Sequence, residues 1–338
     1  LQLNVARRRA RHDALPGAAH CGSGELLGQL VASLPFEMTG AQQRCVEQIR
    51  SDLSAPRAMN RLLQGDVGAG KTLVAVAAIV LAVESGCQAA MMAPTQILAE
   101  QHHLVLSRWL GPLGLRVALR TAATRKGSTI APDDDPDLFG GDEPPHVVVG
   151  THALFYDSVE FDRLGLVVID EQHKFGVAQR GRLIGRGVCP DVLVMTATPI
   201  PRTLTLTVYG DLDVSVLDEL PKGRGKIVTA VREARKKVKE ATKFMRDQLE
   251  EGRQAYIVYP LVEDSEKLKA KSVEGEFERW SERLSPFKCD LLHGRVAPAE
   301  KELIMRDFRD GKTDVLVATT VIEVGVDVPN ANIMYIYN

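Results

Sequence analysis

The chain has only five cysteines in 338 residues (Cys21, Cys45, Cys87, Cys189 and Cys289), and no two stand in a Cys-x-x-Cys pair. Scattered and odd in number, they exclude a disulfide framework and a zinc knuckle, and they suit reduced thiols in a cytoplasm. No apolar run reaches the roughly 18 residues a membrane-spanning helix needs. Charge of one sign is not in excess either. The 42 Lys and Arg against 44 Asp and Glu leave a net charge of -2, so no global field draws the chain to nucleic acid or membrane. Any polyanion site must come from a local patch. The opening LQLNVARRRARHDALPG lacks an initiator Met and the charged-then-apolar order of a secretion signal, and reads as a cut through a longer protein. No Gly-x-Gly-x-x-Gly follows the first strand, which removes a dinucleotide-binding enzyme.

With 45% hydrophobic and 25% charged residues, the chain has the make-up of a globular protein, and its length suits two domains. Residues 1–34 mix a basic cluster (Arg7, Arg8, Arg9, Arg11) with Gly, Ser and Pro, and read as a linker or N-terminal extension. From Pro35 onward, short apolar runs alternate with helical patterns: AAMMA (89–93), HVVVG (146–150), LGLVVID (164–170) and DVLVMTA (191–197). Such runs between helices are the pattern of a parallel sheet buried on both faces. A second series follows with QAYIVYP (254–260), CDLLHG (289–294) and DVLVATT (314–320). Between the two series lies DELPKGRGK (218–226), polar and broken by Pro and Gly. The expected organisation is therefore α/β throughout: a first domain over 35–217, a linker over 218–226 and a second domain over 227–338. The stretch 124–145, rich in Asp, Pro and Gly, reads as a long exposed loop. The basic run Arg232, Arg235, Lys236, Lys237 and Lys239 falls on a helical pattern and reads as a solvated face ahead of a DNA contact. His102, His103 and His173 have no metal-ligand partners at suitable spacing, so zinc is not expected.

The most specific signal is GDVGAGKT (65–72), which fits G-x-x-x-x-G-K-[ST]. Average residue frequencies give about one chance match in a hundred chains of this length. A strand-like segment precedes it and a helical one follows, which aims backbone N–H groups and a positive helix end at a polyphosphate. Gly65, Asp66, Val67, Gly68, Ala69 and Gly70 would wrap the phosphates of ATP. Lys71 would reach the β- and γ-phosphates, and the Thr72 hydroxyl would ligate Mg²⁺. Such a loop calls for a carboxylate at another strand end, and Asp170-Glu171 follows LGLVVI. Asp170 would complete the Mg²⁺ shell and Glu171 would orient or deprotonate the attacking water, a pairing that separates hydrolysis from phosphoryl transfer to a second substrate.

Asp170-Glu171-Gln172-His173 extends this site to DEQH, and here the chain resembles the superfamily 2 helicases and translocases, related to the DEAD/DEAH type. The resemblance runs from about Phe36 to Asn330 and implies two tandem RecA-like P-loop domains with ATP in the cleft between them. LPFEMTGAQ resembles the adenine-reading segment, which places Gln42 against the base and Phe36 beside it. APTQILAEQH (93–102) resembles a first nucleic-acid contact, with Pro94 and Thr95 at a helix N-terminus facing a phosphate. VGTHAL (149–154) resembles a second, through Gly150, Thr151 and His152. TATPIPRT (196–203) resembles the segment that couples hydrolysis to DNA, with Thr196 and Thr198 as hydroxyl relays. In the second domain LLHGR (291–295) brings His293 and Gly294 to the strand. ATTVIEVGVDVPNA (318–331) resembles the motif facing both ligands, with Thr319, Thr320 and Glu323 toward DNA and Gly325 and Asp327 toward ATP. Phosphate contacts of this kind grip a strand without reading its sequence.

DEQHKFGVAQRGRL, MTATPIPRTLTLTVYGDLDVSVLDELPKGR and VLVATTVIEVGVDVPNANIM resemble, within that superfamily, the enzymes that remodel stalled forks and Holliday junctions in recombination and repair. The resemblance implies ATP-driven movement on duplex or branched DNA by a monomer, with single-stranded DNA-binding protein as a further partner and no membrane. Two features depart from the pattern. The family's Arg-rich motif belongs beyond residue 338 and its junction wedge before Leu1, so the second domain reads as incomplete. The acidic stretch 124–145 stands where the family carries a basic segment. Two other readings stay open on the sequence: a double-strand translocase that moves proteins, and an ATP-binding module that switches without turnover.

Overall fold

In the computed structural model, the described residues are 17, 19–20, 22–120, 144–151, 154, 161–170, 189–197, 212–221, 228–231, 235–259, 266–319, 328 and 330–336. The acidic stretch lies almost wholly outside them. The chain divides into two compact units, Leu1–Gly225 and Lys226–Asn338.

The first unit holds a seven-stranded sheet in the order β3-β4-β2-β5-β6-β1-β7. The strands are β1 (Asn60–Gly65), β2 (Gln88–Met92), β3 (Val117–Arg120), β4 (Val147–Gly150), β5 (Leu164–Asp170), β6 (Asp191–Thr196) and β7 (Asp213–Leu217). Every neighbouring pair is parallel. The continuous Val, Leu and Ile runs of β4 and β5 are buried because helices cover both faces of such a sheet.

Among the described residues of this unit are the α-helices α1 (Glu25–Ser33), α2 (Gly40–Leu53), α3 (Lys71–Glu84) and α4 (Gln96–Leu110). In α3 every residue from Leu73 to Val83 is buried. It therefore has no solvent face and must be covered all round. The sheet packs on its inner side, and α1 and α2 cover the rest.

Residues 17–33, expected as plain connection, belong to this cover. Leu30 of α1 is buried, and His20 is buried with its Nε2 2.7 Å from Asp191 Oδ2 at the start of β6. Asp191 also accepts from the Met59 amide. Burial pushes its carboxyl up, against those two hydrogen bonds. At the other end of the expected linker, Asp218 and Glu219 pair with Arg44 of α2 at 2.6 and 3.3 Å, so the chain stays tied to the first unit past β7.

Glu84, the last residue of α3, closes the N-terminus of α1. It accepts from Ser23 Oγ at 2.8 Å, Gly24 N at 2.9 Å and Leu26 N at 3.2 Å. Gly24 has no side chain to cap the helix, so Glu84 supplies the acceptor from a distance.

The second unit has a four-stranded parallel sheet in the order β11-β8-β10-β9: β8 (Gln254–Tyr259), β9 (Cys289–Leu292), β10 (Val315–Thr319) and β11 (Ala331–Ile336). Its helices are α5 (Arg235–Glu250), α6 (Glu266–Leu284) and α7 (Pro298–Arg309). Met245, Leu249, Trp280 and Leu284 close over Ala255, Ile257, Val315 and Val317. The basic run from Arg235 does fall on a helix. The four described cysteines are free, and burial pushes their thiols up, that of Cys289 to about 11, so they stay protonated at neutral pH.

Glu84→Ala is expected to lower stability by about 1 kcal/mol through loss of the α1 cap, read as a lower urea midpoint. Burial pushes the Glu84 carboxyl up, but hydrogen bonds from Ser23 and the amides of Leu26, Gly24 and Glu25 outweigh it and hold it below the usual carboxylate range. The contribution is thus full above the ordinary carboxylate pKa and is lost as pH falls through the lowered folded value, so the two proteins converge in acid.

Candidate nucleotide and nucleic-acid site

The phosphate loop runs from Gly65, the last residue of β1, to Lys71, the first of α3. Gly68 and Gly70 adopt φ values of 78° and 86°, a region that side chains disfavour. A Cβ on Gly70 would also collide with the Gln42 amide nitrogen. The positive φ favours glycine there, and any Cβ would also have to displace the Gln42 amide. The turn is held by Ala69 N donating to Asp66 O at 3.1 Å and Val67 N donating to Asp66 Oδ1 at 2.8 Å. Lys71 Nζ lies over it, donating to Gly65 O at 2.9 Å and Asp66 O at 3.0 Å.

Gln42 was expected against the base, but its side chain lies behind the loop and is 2% exposed. Its Oε1 accepts from Thr39 N at 2.9 Å, completing a capping box on α2, and its Nε2 donates to Ala69 O at 2.9 Å. Placed so, it supports the turn. Phe36 is 48% exposed and lines a depression of about 560 Å³ with Val31, Leu34, Met38 and Gln43. Gln43, which the sequence did not single out, is the glutamine at this surface. Val31, near the end of α1, supplies one wall of this depression.

Asp170 ends β5. In register, Asp170 sits beside Met195 of β6, and Thr196, the next residue, sits beside Gln64 of β1. Two strand spacings, about 10 Å, separate β5 from β1. Asp170 Oδ2 is 2.7 Å from Nε2 of His102 on α4. An ionised carboxylate only accepts, so Nε2 is the donor. Reading motifs one at a time gives no signal for this contact, because the partners are 68 positions apart.

The residues fit a nucleoside triphosphate and Mg²⁺. The hollow of the turn is where a Cβ would stand at a glycine, and the opening turn of α3 presents its amides and positive end there. Thr72 offers a hydroxyl and Asp170 a carboxylate, hard oxygen donors of the kind Mg²⁺ takes. Among the described residues no group of three or more His, Cys, Asp or Glu could hold a metal ion.

The first-unit residues that the sequence offers for contact with a nucleic-acid strand lie on the same edge of the sheet where they are described. Thr95 is the N-cap of α4, its Oγ1 accepting from Leu98 N at 3.4 Å, and Pro94 precedes it after β2. Gly150 ends β4 beside Met92 of β2, and Ala93 N donates to its carbonyl at 2.9 Å. A Cβ on Gly150 would strike the Arg120 carbonyl oxygen and the Leu154 side chain, so close packing alone requires this glycine. Thr151 and Thr196 are buried. The structure thus brings together Gly65–Thr72, Asp170 and Thr196 on one half of the edge, and Pro94, Thr95, Gly150 and Thr151 on the other.

In the second unit, His293 and Gly294 follow β9, and Thr319 ends the neighbouring β10. His293 Nδ1 accepts from Arg295 N at 3.2 Å, and Lys301 Nζ donates to Gly294 O at 3.2 Å. Thr319 Oγ1 is buried and has no hydrogen-bond partner among the described residues. His152, Glu171, Gln172, His173, Thr198, Thr320, Glu323, Gly325 and Asp327 lie outside the described residues.

Residues 39–207 match the DEAD/DEAH box helicase family, and residues 236–338 match the helicase conserved C-terminal domain. This chain belongs to the DEAD/DEAH box helicases. Its two units are RecA-like α/β domains. Among curated relatives, this helicase chain is similar to the ATP-dependent DNA helicase RecG of Synechocystis sp. (49% identical over 340 residues, 100% of this chain and 40% of that protein). RecG of Thermotoga maritima is 45% identical (99% and 42%), and RecG of Escherichia coli K12 is 46% identical (93% and 45%). The chain therefore spans less than half the length of these relatives. Among solved structures, RecG bound to a three-way DNA junction superposes with a TM-score of 0.83 at 41% identity, covering 99% of this chain and 43% of that one. Yeast Dbp5 bound to RNA and ADP BeF3, at 18% identity and a TM-score of 0.57, shares the fold.

Gln42→Ala separates loop support from base reading. Losing a partner of a buried carbonyl is expected to weaken ATP and GTP binding alike, by about tenfold. Phe36→Ala, at the exposed wall, is expected to weaken binding through lost stacking area without disturbing the loop. Competition of the two nucleotides against a fluorescent analogue reads both; a change of ATP-over-GTP preference in Gln42→Ala alone would return that residue to the base.

Proposed function

We propose that this chain is the motor core of an ATP-dependent DNA helicase or translocase acting on branched DNA, such as stalled forks and Holliday junctions, in recombination and repair. The observation that carries this reading is the chain-long likeness to RecG on a three-way DNA junction, together with a phosphate loop and Asp170 on the same sheet edge as Thr95 and Gly150. A protein-moving translocase and a switch without turnover are both less favoured.

In this reading Gly65–Thr72 wrap the triphosphate, and Lys71 turns from the carbonyls of Gly65 and Asp66 to the phosphate oxygens. Thr72 and Asp170 would hold Mg²⁺, which supplies neutralisation of phosphate charge when bound. Glu171 orients the attacking water and Phe36 covers the base. Thr196 and Thr198 relay between ATP and DNA, and Gly325 and Asp327 bring the second unit to the nucleotide. Pro94, Thr95, Gly150, Thr151 and His152 hold phosphates of the strand on the first unit. His293, Gly294, Thr319, Thr320 and Glu323 do so on the second. Contacts of this type fix position without reading bases, as an enzyme that recognises DNA shape requires. Residues 35–217 and 227–338 serve as the two motor domains, joined by 218–226. We further propose a cytoplasmic monomer, with single-stranded DNA-binding protein as a partner.

The reading is tested by steady-state ATP hydrolysis with and without a synthetic fork. Forked DNA is expected to raise turnover, and Lys71→Ala to lower it by on the order of a hundredfold or more through loss of charge on the transferring phosphoryl group. Turnover by the unsubstituted chain no greater than that of Lys71→Ala, with or without DNA, would remove it.

A further inference from the structure

Helix α4 carries a strand-contact residue at one end and, two turns later, a side chain on the nucleotide site. Thr95 is its N-cap and His102 lies seven residues on, a separation that puts both on one face about 10 Å apart. Between and beyond them Ile97, Leu98, Ala99, Leu106 and Leu110 are buried, so the helix is seated as a stiff element. His102 is 7% exposed, with Nε2 2.7 Å from Asp170 Oδ2. An Asp carboxylate on its own rotates through a broad terminal torsion. A single directed hydrogen bond on one oxygen selects its orientation and leaves the other oxygen for a metal shell.

We infer that His102 is a positioning residue that couples engagement of a DNA strand at the N-terminus of α4 to the orientation of the Asp170 carboxylate. The inference rests on the helicase reading above and adds to it a route by which DNA reaches the nucleotide site. A phosphate drawn to Thr95 and the opening amides of α4 shifts a stiff helix, and His102 passes that shift to Oδ2 of Asp170. The motif expected only to touch DNA thus also holds the carboxylate that serves the nucleotide.

The test measures binding of a fluorescent, non-hydrolysable ATP analogue to the 338-residue chain, with Mg²⁺ or with EDTA, and with or without duplex DNA. In Mg²⁺, DNA is expected to tighten analogue binding to the unsubstituted chain by at least about fivefold. His102→Leu, close in size but without a donor, is expected to lose that effect. His102→Gln, which ends in an N–H, is expected to restore it, and in EDTA all three proteins are expected to bind the analogue alike. Full retention of the DNA effect in His102→Leu, or failure of His102→Gln to restore it, overturns the inference. A second measurement needs no substitution: with no nucleotide present, the ring ¹⁵N signals of His102 must move when duplex DNA binds. DNA binding that leaves them in place overturns the inference while the helicase reading stands. If the unsubstituted chain binds neither analogue nor DNA, the helicase reading falls and takes the inference with it.

Discussion

Parallel strands end on one side, and the site in the first unit depends on that constraint. Because every pair in the seven-stranded sheet is parallel, the turns after β1, β2, β4, β5 and β6 all open on the same edge. The phosphate loop, Asp170, Thr196, Thr95 and Gly150 come from segments up to 131 positions apart (Gly65 to Thr196), yet strand order brings them to one edge. β5 and β2 lie side by side, so Asp170 and the proposed strand contacts after β2 are one strand spacing apart. His102 crosses that spacing.

Local chemistry then fixes what each turn can do. Gly70 is held by its positive φ and by the Gln42 amide behind it, so the loop is shaped before any ligand arrives. Preshaping of this kind reduces the ordering cost of binding. Gly150 shows the opposite case: packing against the Arg120 carbonyl already accounts for the residue, so its presence alone says nothing about DNA. Thr319 lies between these cases, since its buried hydroxyl has no partner among the described residues, and such a group is costly unless one is supplied.

The central strands are legible because β2, β4, β5, β6, β8 and β10 are mostly apolar runs, the pattern that burial on both faces leaves. The edges are not. β3 is short, β7 buries only Ser215 and Leu217 among its five residues, and β11 alternates half-buried with exposed positions. Edge strands need less apolar surface, so they carry less signal. The phosphate loop could be read because its glycines and lysine are contiguous. Gln42 could be found in the sequence, but its capping bond to Thr39 and its bond to Ala69 O could not, since a capping glutamine and a base-reading one look alike there. The pairs His102–Asp170 and His20–Asp191 join residues that no local pattern relates. Helix α1 carries little signal because it is only nine residues long, is interrupted by Gly28 and buries a single side chain, Leu30.

The absence of a polar face on α3 bears on where this protein can be cut. The helix that carries Lys71 is covered partly by α1, and α1 is fastened by Glu84 and, through the chain before it, by His20. A truncation at Pro35, where the motifs begin, would strip that cover and leave a greasy flank open to water beside the phosphate loop. A piece meant to hold a nucleotide therefore keeps His20 and α1 as well as the residues from Phe36 onward.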